Sequence, residues 1–183
     1  MIFSVCLSFR KLLYNTSSDE VVFFNKTHFV PTDGSCLGDP GRVGFGGLIR
    51  KGNRVDGFSG FLGISNTTFA ELMAILHGLR IARNLSCNHI YCYSDSQTVL
   101  DLISKDFSTF HHYVAIIAKI QDFLKMEWEA RLLHTLREGN TSSDFLAKFG
   151  STNDDKLTIW EAPSEELKNI LLFDALRVLH PRA

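Results

Sequence analysis

Residues 32–50, TDGSCLGDPGRVGFGGLIR, decide how this chain is read. An acid, Asp33, is followed by Gly34-Ser35, then by the turn-forming run Leu37-Gly38-Asp39-Pro40-Gly41, then by the apolar run Val43–Arg50. Two strand-like runs, Thr27–Thr32 and Val43–Arg50, thus flank a strong turn signal, which predicts a hairpin. A third run, Val55–Phe61, follows the short turn Lys51-Gly52-Asn53 and completes an antiparallel meander. Gly44, Gly46 and Gly47 weaken a strand, so they mark a bulge or a place where another backbone comes close.

Downstream, the period changes. Leu72, Ile75, Leu76, Leu79 and Ala82 recur at helical spacing, which predicts a helix from Thr68 to about Leu85. Thr68 and Glu71 have the capping-box form. A short apolar strand, His89–Ser94, leads to Asp95, and Ser96 can cap a short helix through Ile103. A further helix is expected over Tyr113–Lys125. A strand follows over Trp128–Thr135, with Trp128, Ala130, Leu132 and His134 on one face. Ser142–Phe149 reads as a helix ended by Gly150. Ser151–Lys156 reads as a linker, and Pro163 opens a last amphipathic helix, Glu165 to about Val178. The order βββ-α-β-α-α-β-α implies an α/β fold, a mixed sheet with helices on its faces.

The chain has 183 residues, 45% apolar and 21% charged, with fifteen Phe and a net charge of -1. That is one domain with a core, and it excludes a strongly basic nucleic-acid coat, so nucleic-acid binding must be local. No apolar run approaches the ~18 residues of a membrane span. The apolar start, Met1–Phe9, precedes Arg10-Lys11, the reverse of a secretory signal. Cys6, Cys36, Cys87 and Cys92 have no disulfide-framework spacing and suit a reducing compartment. Cys87-x-His89-x-x-Cys92 is better read as buried thiols on and before a strand than as a zinc fragment. An intracellular place, nucleus or cytoplasm, is expected, with no membrane partner.

Four acids stand where ligand sites collect in such sheets. Asp33 is expected at the end of the first strand, Glu71 in the first turn of the first long helix, Asp95 at the end of the fourth strand and Asp144 in the first turn of a late helix. Each alone has a bland explanation as a turn, cap or helix-dipole partner. Together they resemble the type 1 ribonuclease H family, and in particular the plant retrotransposon-derived "reverse transcriptase-like" ribonuclease H domains. The runs TDGSCLGDPGRVGFGGLIR, AELMAILHGLRIA, YSDSQTVLDLI, HTLREGNTSSDFLAKFG and LTIWEAPSEEL carry the likeness.

The resemblance implies a five-stranded mixed sheet in the order 3-2-1-4-5, flanked by helices. It divides the chain into a poorly ordered leader (1–26), a ribonuclease H-like domain (27–150), and a linker with a C-terminal helical appendage (151–183). It implies hydrolysis of the RNA strand of RNA–DNA hybrids by a monomer. Two Mg²⁺ ions, replaceable by Mn²⁺, would be bound by Asp33, Glu71, Asp95 and Asp144. Mg²⁺ takes oxygen ligands, and a metal pair can activate water and stabilise the leaving oxygen. Carboxylates packed this closely should have raised pKa values without metal. By the same resemblance Glu71 contacts a ribose 2′-OH, and Gly34, Ser35, Asn66, Arg137 and Asn140 lie against the substrate.

Arg42, Arg50, Lys51 and Arg54 on the hairpins read either as a solvated surface or as phosphate contacts. The chain departs from the family in three places. The connection Leu136–Gly139 has no His, the segment between Ser96 and Leu124 lacks a basic handle, and Pro31 stands in an expected central strand. Pro31, the missing handle and the unusual leader sustain a second reading, a catalytically weak or inactive module that keeps the fold and binds nucleic acid or a partner.

Overall fold

In the computed structural model, residues 27–38, 41–51, 54–105 and 112–171 are described. The expected leader and the end of the last helix lie outside them. Strand β1 (Thr27–Gly38) is twice as long as its sequence signal. Its first half runs parallel to β4 (His89–Ser94), from Thr27↔His89 to Pro31↔Tyr93. Its second half pairs with β2 (Gly41–Lys51), from Thr32↔Gly47 to Gly38↔Gly41. Asp33-Gly34 is therefore strand interior, not a turn. The reversal comes at Gly38, whose φ of 102° suits glycine. The β1–β2 ladder keeps one register from Phe29↔Arg50 to Gly38↔Gly41 but pairs neither Val30 nor Pro31 with β2, and Pro31 pairs instead with Tyr93 of β4.

The meander closes with β3 (Arg54–Ser65), antiparallel to β2. Beyond β4, β5 (Glu129–His134) adds in parallel. The sheet order is β5-β4-β1-β2-β3-β6, the expected 3-2-1-4-5 arrangement with one strand more. That strand, β6 (Thr158–Trp160), pairs antiparallel with Gly57–Ser59 of β3. Three residues are too few to show a period, so it was invisible in the sequence.

Helix α1 (Thr67–Asn84) lies against one face of the sheet. Its N-cap is Asn66, whose Oδ1 accepts from Phe69 N at 3.0 Å; the expected capping box at Thr68 does not form. Glu71 is thereby freed from capping. Leu72, Ala74, Ile75, Leu79, Ile81 and Ala82 bury with Val30, Phe45, Ile49, Phe58 and Ile90 in the main core. His77 stacks on Phe45, with ring centroids 4.3 Å apart. Helices α2 (Gln97–Ser104) and α3 (Val114–Lys125) add Val99, Ile103, Ile117 and Ile120 to that core. From the β5 side, Trp128, Ala130 and Leu132 pack on it, but His134 at the strand end is exposed. Cys87 and Cys92 are buried and form no disulfide, as befits core thiols.

Helix α4 (Thr141–Thr152) packs against the β2 glycines. A Cβ on Gly46 would stand 2.4 Å from Ala147 N, so the glycines admit the helix backbone, one of the two alternatives their spacing left open. Gly150 does not end α4. It lies inside, against the Gly60 backbone, and the helix continues to Thr152. Arg42 holds that end, donating to the carbonyls of Ser151 and Asn153, each at 3.0 Å, and to Asp154 at 2.7 Å. Residues 165–171 are helical, and Leu167 and Leu171 close a second cluster with Leu48 and Leu146. Among the described residues no helix is long and apolar enough to cross a membrane.

Candidate metal centre

The site grows from a change of neighbours along β1. Parallel pairing with β4 stops at Pro31, β4 itself ends at Ser94, and the two chains carry Asp33 and Asp95 just past those points. Glu71 arrives from the second turn of α1. The helix can come this close because residue 34 has no side chain: a Cβ there would stand 2.4 Å from Glu71 N and 2.6 Å from Ala70 C. The glycine that signals a turn in isolation serves here as a docking point. One carboxylate oxygen each from Asp33, Glu71 and Asp95 then lies within 4.8 Å of the others, the one such group of potential ligands among the described residues.

Three acids this close, two of them buried, cannot all ionise at neutral pH without a cation. Burial foremost, and then the charges of Asp95 and Asp144, raise Asp33 from 3.8 to about 7. Burial, and then Asp33 and Asp95, raise Glu71 from 4.5 to about 9. Asp33 Oδ1 accepts from Gly34 N at 2.8 Å. Glu71 Oε2 is buried without a hydrogen-bond partner. A buried orphan oxygen beside two carboxylates is what a hard, oxygen-seeking cation would satisfy.

Asp144 does not join the triad. It sits in the first turn of α4, and its Oδ2 accepts from Lys148 Nζ at 2.6 Å, one helical turn away. It is near enough for its charge to act on Asp33. Arg137, expected to face substrate, turns its Nε to Asp95 Oδ2 at 3.3 Å while 92% of its side chain stays exposed. Two of the four acids are thus met by the chain's own cations. Lys148 was legible as an i, i+4 partner of Asp144.

The remaining expected residues are scattered by role. Gly34 bonds Asp33 and seats α1. Ser35 is buried on β1. Asn66 lies at the α1 N-cap, its Oδ1 also accepting from Tyr113 Oη at 2.9 Å. Asn140 is 2% exposed and its Nδ2 donates inward to the Thr32 carbonyl at 2.9 Å. Arg42 is spent on α4 and Arg50 is buried, while the Lys51 and Arg54 side chains lie outside the described residues. Thr32 escaped sequence reasoning altogether, because a Thr on a strand carries no signal of its own.

Residues 31–150 match the protein family described as reverse transcriptase-like. A protein of Arabidopsis thaliana named as a ribonuclease H protein is 26% identical over 155 residues, 84% of this chain and 25% of that protein. The ribonuclease H of Actinobacillus pleuropneumoniae serotype 5b is 30% identical over 139 residues, 67% of this chain and 88% of its own length. The chain spans about a quarter of the Arabidopsis protein and about half of several other bacterial relatives. Among solved structures, LC11-RNase H1 in complex with RNA/DNA hybrid superposes with a TM-score of 0.59 at 23% identity, covering 68% of this chain and 96% of that one. That likeness is one of fold.

Proposed function

The chain belongs to the reverse transcriptase-like ribonuclease H family, and from that premise we propose that it hydrolyses the RNA strand of RNA–DNA hybrids with divalent metal ions. The observation that carries the reading is the carboxylate triad together with the orphaned, buried Glu71 oxygen. Asp33, Glu71 and Asp95 would hold one ion. Asp144 would complete a second position with Asp33, once it exchanges Lys148 for the metal. A bound pair of Mg²⁺ ions supplies a nucleophilic water and charge stabilisation at the leaving oxygen.

Every other part of the reaction falls to the chain's own groups. Gly34 N fixes one Asp33 oxygen and so aims the other. Glu71, from the end of α1 nearest Asn66, would accept from a ribose 2′-OH, the group that separates RNA from DNA. Arg137, almost wholly exposed, can leave Asp95 for a backbone phosphate once a metal neutralises that acid. The hybrid complex known for a protein of this fold supports the same choice of substrate. Residues 27–150 would carry the activity, with 151–183 as an appendage.

One observation favours a second reading, a non-catalytic module. Asp144 stands outside the triad with Lys148 on its carboxylate. Cleavage of a labelled RNA–DNA hybrid in Mg²⁺ and Mn²⁺ decides between them. The nuclease cuts only the hybrid, needs the metal, and is silenced by EDTA or Asp33→Asn. Folded protein that cuts in neither metal is the module.

A further inference from the structure

The fourth acid rides on a separate helix, and its distance from the triad is set by whatever ties that helix to β1. Asn140 is that tie. It stands at the N-cap of α4, where an Asn normally turns its side-chain oxygen back onto the first turn. Here no side-chain cap bond forms, and Oδ1 is buried without a hydrogen-bond partner. The side chain is spent elsewhere, Nδ2 donating to the Thr32 carbonyl at 2.9 Å. Thr32 is fully buried, and its Oγ1 donates to the carbonyl of Tyr93 at 3.0 Å. The Asn140 backbone carries the connection onward. Its N–H donates to Arg137 O at 3.0 Å, and its carbonyl accepts from Ser143 N at 3.1 Å and Asp144 N at 3.0 Å.

One bonded path therefore crosses β4, β1 and α4 behind the acids. Tyr93 lies two residues before Asp95, Thr32 one before Asp33, and Asn140 four before Asp144. Arg137, which pairs with Asp95, hangs from the same residue. Neither Thr32 nor Asn140 is exposed enough to touch a substrate, so any part they play passes through the acids they join.

We propose that Thr32 and Asn140 form a positioning clasp that sets the reach of Asp144 toward the Asp33–Glu71–Asp95 triad, so that the second metal position depends on it. This rests on the metal-dependent reading above. Supporting contacts behind metal ligands commonly govern affinity without touching the ion.

The test is calorimetric titration of the full chain with Mn²⁺. Wild type should take two ions. Asn140→Leu, which removes the donor at similar volume, should keep the first ion and weaken the second by about tenfold or more. Thr32→Val should do the same, and Thr32→Ser, which restores the hydroxyl, should regain both. Near-ultraviolet circular dichroism reports whether each variant is folded; should Asn140→Leu fail to fold, the Thr32 pair decides. Variants that bind both ions like wild type, or that lose both equally, overturn the clasp while leaving the nuclease reading standing. Thr32→Ser behaving like Thr32→Val also overturns it. Wild type that takes one ion removes the clasp, and wild type that takes none removes the metal-dependent reading with it.

Discussion

Replacing Glu71 by Gln should stabilise the metal-free protein at neutral pH. In the folded state burial and two neighbouring acids raise the Glu71 carboxyl from 4.5 to about 9. A raised carboxyl binds a proton in the folded chain that the unfolded chain has released. Stability is therefore fullest below about pH 4.5 and drains away as pH rises toward 9. Each pH unit inside that window costs about 1.4 kcal/mol. From about pH 5 to pH 7 the loss from this one group is about 3 kcal/mol as a ceiling, and about 1–3 kcal/mol once structural relaxation is allowed for. Gln fills nearly the same volume and never ionises, so Glu71→Gln should erase that share of the slope. The assay is urea unfolding in EDTA near pH 5, 7 and 8.5. The two proteins should be alike at the lowest pH and diverge upward, the variant gaining about 1–3 kcal/mol by neutrality. Adding Mg²⁺ should then stabilise wild type more than the variant, because metal takes the place of the proton. Equal pH slopes for the two proteins in EDTA would refute the account of a desolvated, charge-crowded carboxyl.

Other expectations come from single contacts. His77 is half-buried against Phe45, and desolvation and then Arg80 lower its imidazole from 6.5 to about 4. Its contribution is present above about pH 6.5 and lost as pH falls toward 4, so His77→Phe should flatten that part of the acid limb in thermal melts. Gly46→Ala drives a methyl to 2.4 Å from the Ala147 amide nitrogen and should cost about 2–4 kcal/mol, read as a lower urea midpoint. Lys148→Met removes the cation on Asp144 and should tighten Mn²⁺ binding severalfold while costing the helix only about 0.3–0.5 kcal/mol. Unchanged Mn²⁺ affinity would mean that Lys148 does not compete for that carboxylate.

Much of this architecture is written in local pattern. The 3.6-residue period from Leu72 to Ala82 and the apolar run before Asp95 specify their elements because burial on one face requires them, whatever the rest of the chain does. The identity and chain order of the four acids are likewise legible, and with them the family. Tertiary structure decided how far each local signal was obeyed. Asp33-Gly34 favours a turn, yet pairing with β2 along Thr32–Gly38 satisfies more backbone groups than a turn would, and the glycine serves the approach of α1. Gly150 favours a helix end, yet contact with Gly60 keeps it inside α4. Thr68 and Asn66 are both good caps, and the one whose oxygen meets Phe69 N prevails. A three-residue strand gains its stability entirely from β3. The sharpest division runs through the site itself. Sequence determines that four carboxylates are present, because their identity is a property of single positions. Which three converge, that Lys148 meets the fourth, and that Asn140 turns inward to Thr32 are properties of distance between segments far apart in the chain, set by the packing of α1 and α4 against β1.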